Sequence, residues 1–251
     1  MSVSLLIDAD GIIFAAAAAA EKVIPWDDDI HTVHADLNEA RDIAYGKIEA
    51  LREKIPGPTN VVLCFSCSSR KYFRHTLYPA YKGHRGKAMR PPLVRRDLTA
   101  WAKGQYEYYE RPGLEADDVI GILATSKVIV SGPKTIVSPD KDLLQIPGNH
   151  LTKTGSTVYR QPEEAERQLW LQVLTGDATD GYPGCPGIGA VRAERMLEEA
   201  DPSEYPKIAF DAYVKAGAAD TFETMVNVAR ILTADTYNFK TKEPILWQKP
   251  S

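Results

Sequence analysis

Eight carboxylates in this chain fall into four short groups, each beside an apolar segment. They are Asp8 in LLIDADG, Glu115, Asp117 and Asp118 in LEADD, Asp140 and Asp142 in SPDKD, and Asp177 and Asp180 in TGDATDG. Glu115 and Asp118 are three residues apart, so a helix start puts both on one face. Asp140 and Asp142 point to the same side if the backbone between them is extended, and the spacing in DATD suits a helical face or a tight turn. Taken singly, each pair also reads as a helix cap or a surface acid. Gathered in one place, they could not all stay ionised without cations, because like charges raise one another's pKa. Hard divalent ions resolve that conflict, and all-oxygen ligation favours Mg²⁺ or Mn²⁺. Two such ions about 4 Å apart can activate a water and steady the leaving oxygen of a phosphodiester.

The motif at residues 8–11, D-A-D-G, permits another reading. Phosphatases of the haloacid-dehalogenase type use D-x-D-G with the first Asp as nucleophile, and Gly176, Asp177 and Asp180 loosely resemble their late acidic motif. Two features weigh against it. Between Glu53 and Asp97 the sequence has no acidic residue but carries Lys54, Arg70, Lys71, Arg74, Lys82, Arg85, Lys87, Arg90, Arg95 and Arg96, in a chain whose net charge is −4. With Tyr72, Phe73, Tyr78 and Tyr81 interleaved, this window points to a polyanion such as nucleic acid rather than to a merely solvated face. The second feature is GCPGIGAVRAERML. Pro186-Gly187-Ile188-Gly189 makes a tight turn before a helix, in the G-x-G-x-x-x-A form of a helix-hairpin-helix. Its glycines let the backbone approach a phosphate, which amides at the helix start can bind regardless of base sequence.

The elements that must carry these groups alternate. Leu5 to Ile7, Asn60 to Ser66, Tyr106 to Arg111 and Thr135 to Ser138 read as buried strands. Helices are expected over Phe14 to Lys22 and over 36–54, stopped by PGPT, and again from near Arg95 and near Glu115. Alternation of this kind predicts a parallel α/β sheet with function beyond the carboxyl ends of its strands. WDDDIH reads as a polar loop, with Asp27 to Asp29 as capping acids rather than a calcium loop. From QPEEAERQLW onward the pattern turns helical, FETMVNVARILTAD included. The expected division is therefore 1–161 for the α/β part and 162–251 for the helical part.

At 251 residues, 44% hydrophobic and 25% charged, the composition is that of a soluble globule. No apolar run approaches the ~18 residues that span a bilayer, and a secretory leader is not expected. Three cysteines, Cys64, Cys67 and Cys185, build no disulfide framework, which fits a reducing cytoplasm.

These residues, in this order, resemble the flap endonuclease and phage 5′–3′ exonuclease family, most of all the short exonucleases of T-odd podophages. The blocks that match are LLIDADG, YPAYKGHR, LEADDV, SPDKDL and GDATDGYPGCPGIG. The resemblance implies a PIN-like nuclease domain with a helix-three-turn-helix element. It implies structure-selective 5′ nuclease activity on DNA and on RNA primers in hybrids, and a monomer working beside replication proteins in a cytoplasm (the host's, if phage-encoded). It makes all eight acids ligands of two Mg²⁺, with Mn²⁺ as a substitute, and Lys82 and Arg85 the phosphate-side catalytic cations. Arg74, Tyr81, Lys87, Arg90, Gly187, Gly189 and Arg192 are expected on DNA, and hairpin carbonyls at Gly184, Gly187 and Gly189 on a K⁺ ion. One departure stands out. The family places another metal-binding Asp after the second strand, whereas this chain has CFSCSS, with Cys67 nearest that position. Either one ion is then held weakly, or a neighbouring acid such as Asp10 takes over. The competing function is a catalytically impaired DNA-structure binder.

Overall fold

The computed structural model describes residues 2–27, 30–83 and 90–249. Its centre is a six-stranded sheet in the order β5-β4-β1-β6-β7-β8, formed by β1 (Val3–Asp8), β4 (Thr59–Phe65), β5 (Glu107–Glu110), β6 (Lys134–Val137), β7 (Gly148–Leu151) and β8 (Thr157–Arg160). All neighbours pair in parallel except β7 with β8. The expected parallel sheet is therefore a mixed one with an antiparallel edge. β7 and β8 escaped sequence reading because GNHL and TVYR are too short and polar to stand out as strands.

The sheet is covered on both faces, and β1 shows why. Leu5 and Ile7 pack with α1 (Ala9–Ala19), α2 (Leu37–Arg52) and α4 (Arg95–Gln105), while Leu6 between them faces α5 (Ala116–Thr125). Period-two alternation in a strand wholly buried on both sides gives a continuous apolar run. α1 starts directly at Asp8, which caps it by accepting from the Asp10 amide, so residues 9–11 are a helical turn rather than a loop. Its run of alanines lets α2 pack close. α2 begins at its cap Asp36 as expected, with Ala40, Ala44 and Ile48 inward.

WDDDIH is not simply a loop. Its described residues belong to an antiparallel hairpin, β2 (Glu21–Asp27) with β3 (Ile30–Ala35), while Asp28 and Asp29 lie outside the described residues. The short α3 (Phe73–Leu77) follows β4.

The helical part holds α6 (Pro162–Thr175), α7 (Ala190–Leu197), α8 (Tyr205–Lys215) and α9 (Phe222–Ala229) around Trp170, Val173, Leu174, Tyr213 and Phe222. Its first helix begins at Pro162. The two parts nonetheless share side chains. Cys67, Tyr72 and Tyr81 sit in the helical core, and Ile231, Leu232 and Tyr237 return to the sheet's core beside α5. FETMVNVARILTAD accordingly leaves the α-helix after Ala229 and passes through a 3-10 turn at Ala234–Thr236 to the small ribbon β9 (Tyr237–Asn238) and β10 (Glu243–Pro244). Gly121 on α5 permits this return, since a Cβ there would lie 2.2 Å from the Leu232 carbonyl oxygen.

Candidate active site

The carboxyl ends of β1, β4 and β6 open onto a cleft of about 770 Å³ whose walls include the acids Asp8, Asp10, Glu115, Asp117 and Asp140 and the bases Arg70, Lys82 and Arg95. Each acid is placed by an element end. Asp8 closes β1 and caps α1. Glu115 is the cap residue of α5, with Asp117 in its first turn. Asp140, just beyond β6, caps the 3-10 turn Lys141–Gln145 by accepting from the Asp142 amide at 2.9 Å. Asp140 and Asp142 are therefore not alternate residues of an extended strand, as the sequence suggested. One is a cap and the other lies in the turn it starts.

A neighbouring pocket joins Glu115 and Asp117 to Asp142 and Asp180. The loop between α6 and α7 brings Asp180 there, with Asp177 shaping the turn behind it. Asp177 Oδ1 accepts from the amides of Thr179 at 2.7 Å and Asp180 at 3.2 Å, the tight-turn reading of DATD.

The electrostatics are those of crowded acids. Burial, and then repulsion from Asp10, pushes Asp8 up to about 6. Burial, and then Asp140, Asp177 and Asp180, pushes Asp142 up to about 7. Asp117 is held well above the carboxylate range by burial, Asp8 and Asp140. Cations and amides offset part of this. Lys82 Nζ donates to Glu115 Oε1 and lies 3.3 Å from Asp180 Oδ2. Lys141 pairs with Asp177 at 3.2 Å, and Gln172 donates to Asp142. Among the described residues, no three His, Cys, Asp or Glu side chains stand at metal-ligand spacing. The donor set still suits a hard cation. The Asp117 carboxylate lines both pockets and accepts no hydrogen bond from the described residues, and a positive charge, as Lys82 already shows, favours its ionised form.

Three expected site residues have other work. Asp118 is wholly buried and turned away from the cleft. Arg74 Nη1 and Nη2 donate to its two oxygens at 2.6 and 2.8 Å, and the Leu232 amide donates to Oδ1 at 3.1 Å. Its lone pairs are spent, which removes it from the ligand set. Arg74 is equally absent from any DNA-facing surface, because its remaining donors go to Glu115 and to the carbonyls of Val228 and Arg230. Tyr81 is buried, too deep to stack on a base. Its hydroxyl instead lies 2.9 Å from Glu115 Oε2 and 2.7 Å from Asp180 Oδ2, with its one hydrogen to donate to either.

Arg90 pairs with Glu21 on β2 at 2.9 Å, at the surface. Arg85 and Lys87 lie outside the described residues. Arg192 is exposed on α7, whose N-terminus is Gly189. Gly187 has φ +74°, and both it and Gly189 have open space at the Cβ position. Gly184 instead packs back to back with Gly176, where a Cβ would lie 2.2 Å from the Gly176 amide nitrogen.

Sequence reasoning did not single out Arg70, Arg95, Tyr72 or Ser66 as lining the cleft, nor place His75 there. The acid-free window held a signal for the first two, but nothing in it separates a cleft arginine from a buried one like Arg74.

A family model described as the 5′–3′ exonuclease N-terminal resolvase-like domain matches residues 4–169. The chain is 30% identical to an exodeoxyribonuclease of Enterobacteria phage T3, covering 97% of this chain and 92% of that one. It is 29% identical to an exonuclease of Escherichia phage T7, covering 97% and 93%. Its fold is similar to that of the D15 protein of phage T5 crystallised with metal ions, with a TM-score of 0.63 and 17% identity over 91% of this chain and 88% of that one.

Proposed function

This chain belongs to the 5′–3′ exonuclease family, and from that premise we propose that it is a divalent-metal-dependent, structure-selective 5′ nuclease. Its substrates are DNA with 5′ ends or flaps and RNA primers in RNA–DNA hybrids. One observation carries the reading. Acids fit for hard cations, Asp8, Glu115, Asp117 and Asp140, and bases fit for a phosphate, Arg70, Lys82 and Arg95, line a single cleft.

Mg²⁺ or Mn²⁺ would be held by Asp8, Glu115, Asp117 and Asp140, with Asp142, Asp177 and Asp180 beside them. When bound, the ions supply the charge that activates the attacking water and steadies the leaving oxygen. The chain's own groups do the rest. Lys82, anchored through its amide to the Asp180 carbonyl at 2.7 Å, swings its ammonium between the carboxylates and the scissile phosphate, where it neutralises developing charge. Arg70 and Arg95 steer the phosphates on either side. Tyr81 and Gln172 hold Glu115, Asp180 and Asp142 in place by hydrogen bonds, which narrows the positions the ligands must search.

The segment from α6 through the Gly176–Gly189 loop to α7 serves as the helix-hairpin-helix, or helix-three-turn-helix, clamp. The exposed backbone at Gly187 and Gly189, the N-terminus of α7 and Arg192 grip the duplex phosphates without reading bases. Carbonyls of the same loop, at Gly184, Gly187 and Gly189, are the proposed K⁺ donors.

The test is a 5′-flap duplex incubated with and without Mg²⁺, beside a small phosphomonoester. Metal-dependent release of the flap or of 5′ nucleotides supports the reading. Binding without cleavage would make the protein a structure binder, and phosphate release from the monoester alone would make it a phosphatase.

A further inference from the structure

β1 and β4 run side by side in parallel, with Asp8 in register with Cys64, so the chain leaving β4 emerges beside the first turn of α1. No acid follows β4. Ser66 comes first, and its hydroxyl accepts from the Ala116 amide at 3.0 Å, capping α5. Cys67 comes next, but it is 3% exposed and belongs to the helical core. Its thiol lies 3.4 Å from Ser69 Oγ and donates to the Lys71 carbonyl at 3.5 Å. It is absent from the lining of the acidic cleft and borders instead an adjoining pocket that shares Asp10 and Ser66 with it.

A carboxylate reaches this place from the neighbouring element instead. Asp10, in the first turn of α1, leans across to β4, where its Oδ2 accepts from the Ser66 amide at 3.2 Å. Its other oxygen has no hydrogen-bond partner among the described residues, and the side chain lines the cleft with Asp8, Asp117 and Asp140. An acid in a first helical turn is also favoured by the helix dipole, but that role asks nothing of the neighbouring strand.

We propose that Asp10 is a ligand of one divalent ion, supplying from α1 the carboxylate that the end of β4 does not carry. The inference rests on the metal-dependent reading above. The Ser66 amide fixes one oxygen so that the other faces the cleft, which makes this amide a positioning group for the ligand.

The experiment is Mn²⁺ titration of the whole protein without DNA, followed calorimetrically and by the spin-resonance signal of free Mn²⁺. Asp10→Asn keeps an oxygen for the Ser66 amide and removes only the charge. It should lose one ion or weaken it at least tenfold, while an equal charge loss at Asp42→Asn, exposed on α2, should leave the titration unchanged. Adding Ser66→Asp to the Asp10→Asn protein should restore the weakened ion, because residue 66 lines the same cleft. Asp10→Ser gives the same comparison if the Asn variant does not fold. Wild-type titration by the Asp10 variant overturns the proposal and leaves the nuclease reading intact. A wild-type protein that takes up no Mn²⁺ overturns both.

Discussion

Arg74 and Asp118 form a buried, two-bonded ion pair, with contacts of 2.6 and 2.8 Å, at the junction of α3, α5 and the segment after α9. The pair ties three parts of the chain together, since Arg74 also donates to the Val228 and Arg230 carbonyls. Removing Asp118 would leave the buried Arg74 only Glu115 as an anionic partner and strip both bonds of the pair, at a cost of up to about 3–5 kcal/mol. Asp118→Ala should therefore lower stability by that order in urea unfolding, while the folded variant still binds Mn²⁺ like wild type. A variant of undiminished stability that has lost an ion would return Asp118 to the ligand set.

Lys82 holds a left-handed backbone, φ 52°, with its amide on the Asp180 carbonyl and its ammonium between Glu115 and Asp180. Lys82→Ala should slow single-turnover cleavage by about 100-fold or more, the scale of losing one contact to transition-state charge. Affinity for the flap should fall far less, because Arg70 and Arg95 still line the cleft. Cleavage at the wild-type rate would remove Lys82 from the chemistry.

Much of this architecture was legible because strong local signals agreed with the fold. Apolar runs placed β1, β4 and β6, and caps at Asp36 and Asp140 sit where short acids precede helical turns. The four acidic groups were readable because each follows or opens such an element. What could not be read was direction. Asp118 and Asp117 are adjacent, yet one faces an arginine in the core and the other the cleft, and only packing of α5 against the returning Leu232 decides which. Tyr81 and Arg74 resembled surface DNA contacts by composition alone. Their burial depends on α9, about 150 residues further along for Arg74. Asp10 stood in the sequence only as one of two alternatives for the missing ligand, because nothing local shows that β4 ends beside it.

The loop before α7 separates two kinds of glycine. At Gly189 an added side chain meets open space and φ is ordinary, so Gly189→Val should fold normally. It should nonetheless weaken duplex binding evenly across sequences, since the side chain would stand where backbone must approach phosphate. At Gly184, with φ +67°, a Cβ would press on the Gly176 amide nitrogen at 2.2 Å, so Gly184→Ala should cost stability first. Thermal melting beside duplex titration distinguishes them. A Gly189→Val protein with unchanged affinity would reduce the loop to a helix cap.

The raised acids make the metal-free protein's stability depend on pH in a particular sense. Asp8 is pushed up to about 6 and Asp142 to about 7, in each case first by burial and then by neighbouring carboxylates. In the unfolded chain both titrate near ~3.9. Between these values the folded protein binds more protons than the unfolded one, so stability falls as pH rises from about 4 through about 7, then levels off. Asp177 works the other way. Despite its partial burial, the Lys141 contact and two backbone amides lower its pKa, so its contribution fades only under more acidic conditions. A divalent ion binds the ionised carboxylates, and it should therefore stabilise most where the penalty is greatest. Without metal, the melting temperature should be lower at about pH 8 than at about pH 5.5. Mg²⁺ at about 10 mM should raise it clearly at the higher pH and little at the lower. Asp142→Asn, which removes one of the raised acids, should flatten the metal-free profile. Melting curves across pH, with and without Mg²⁺, check the account, and a Mg²⁺ effect of equal size at both ends of the range would contradict it.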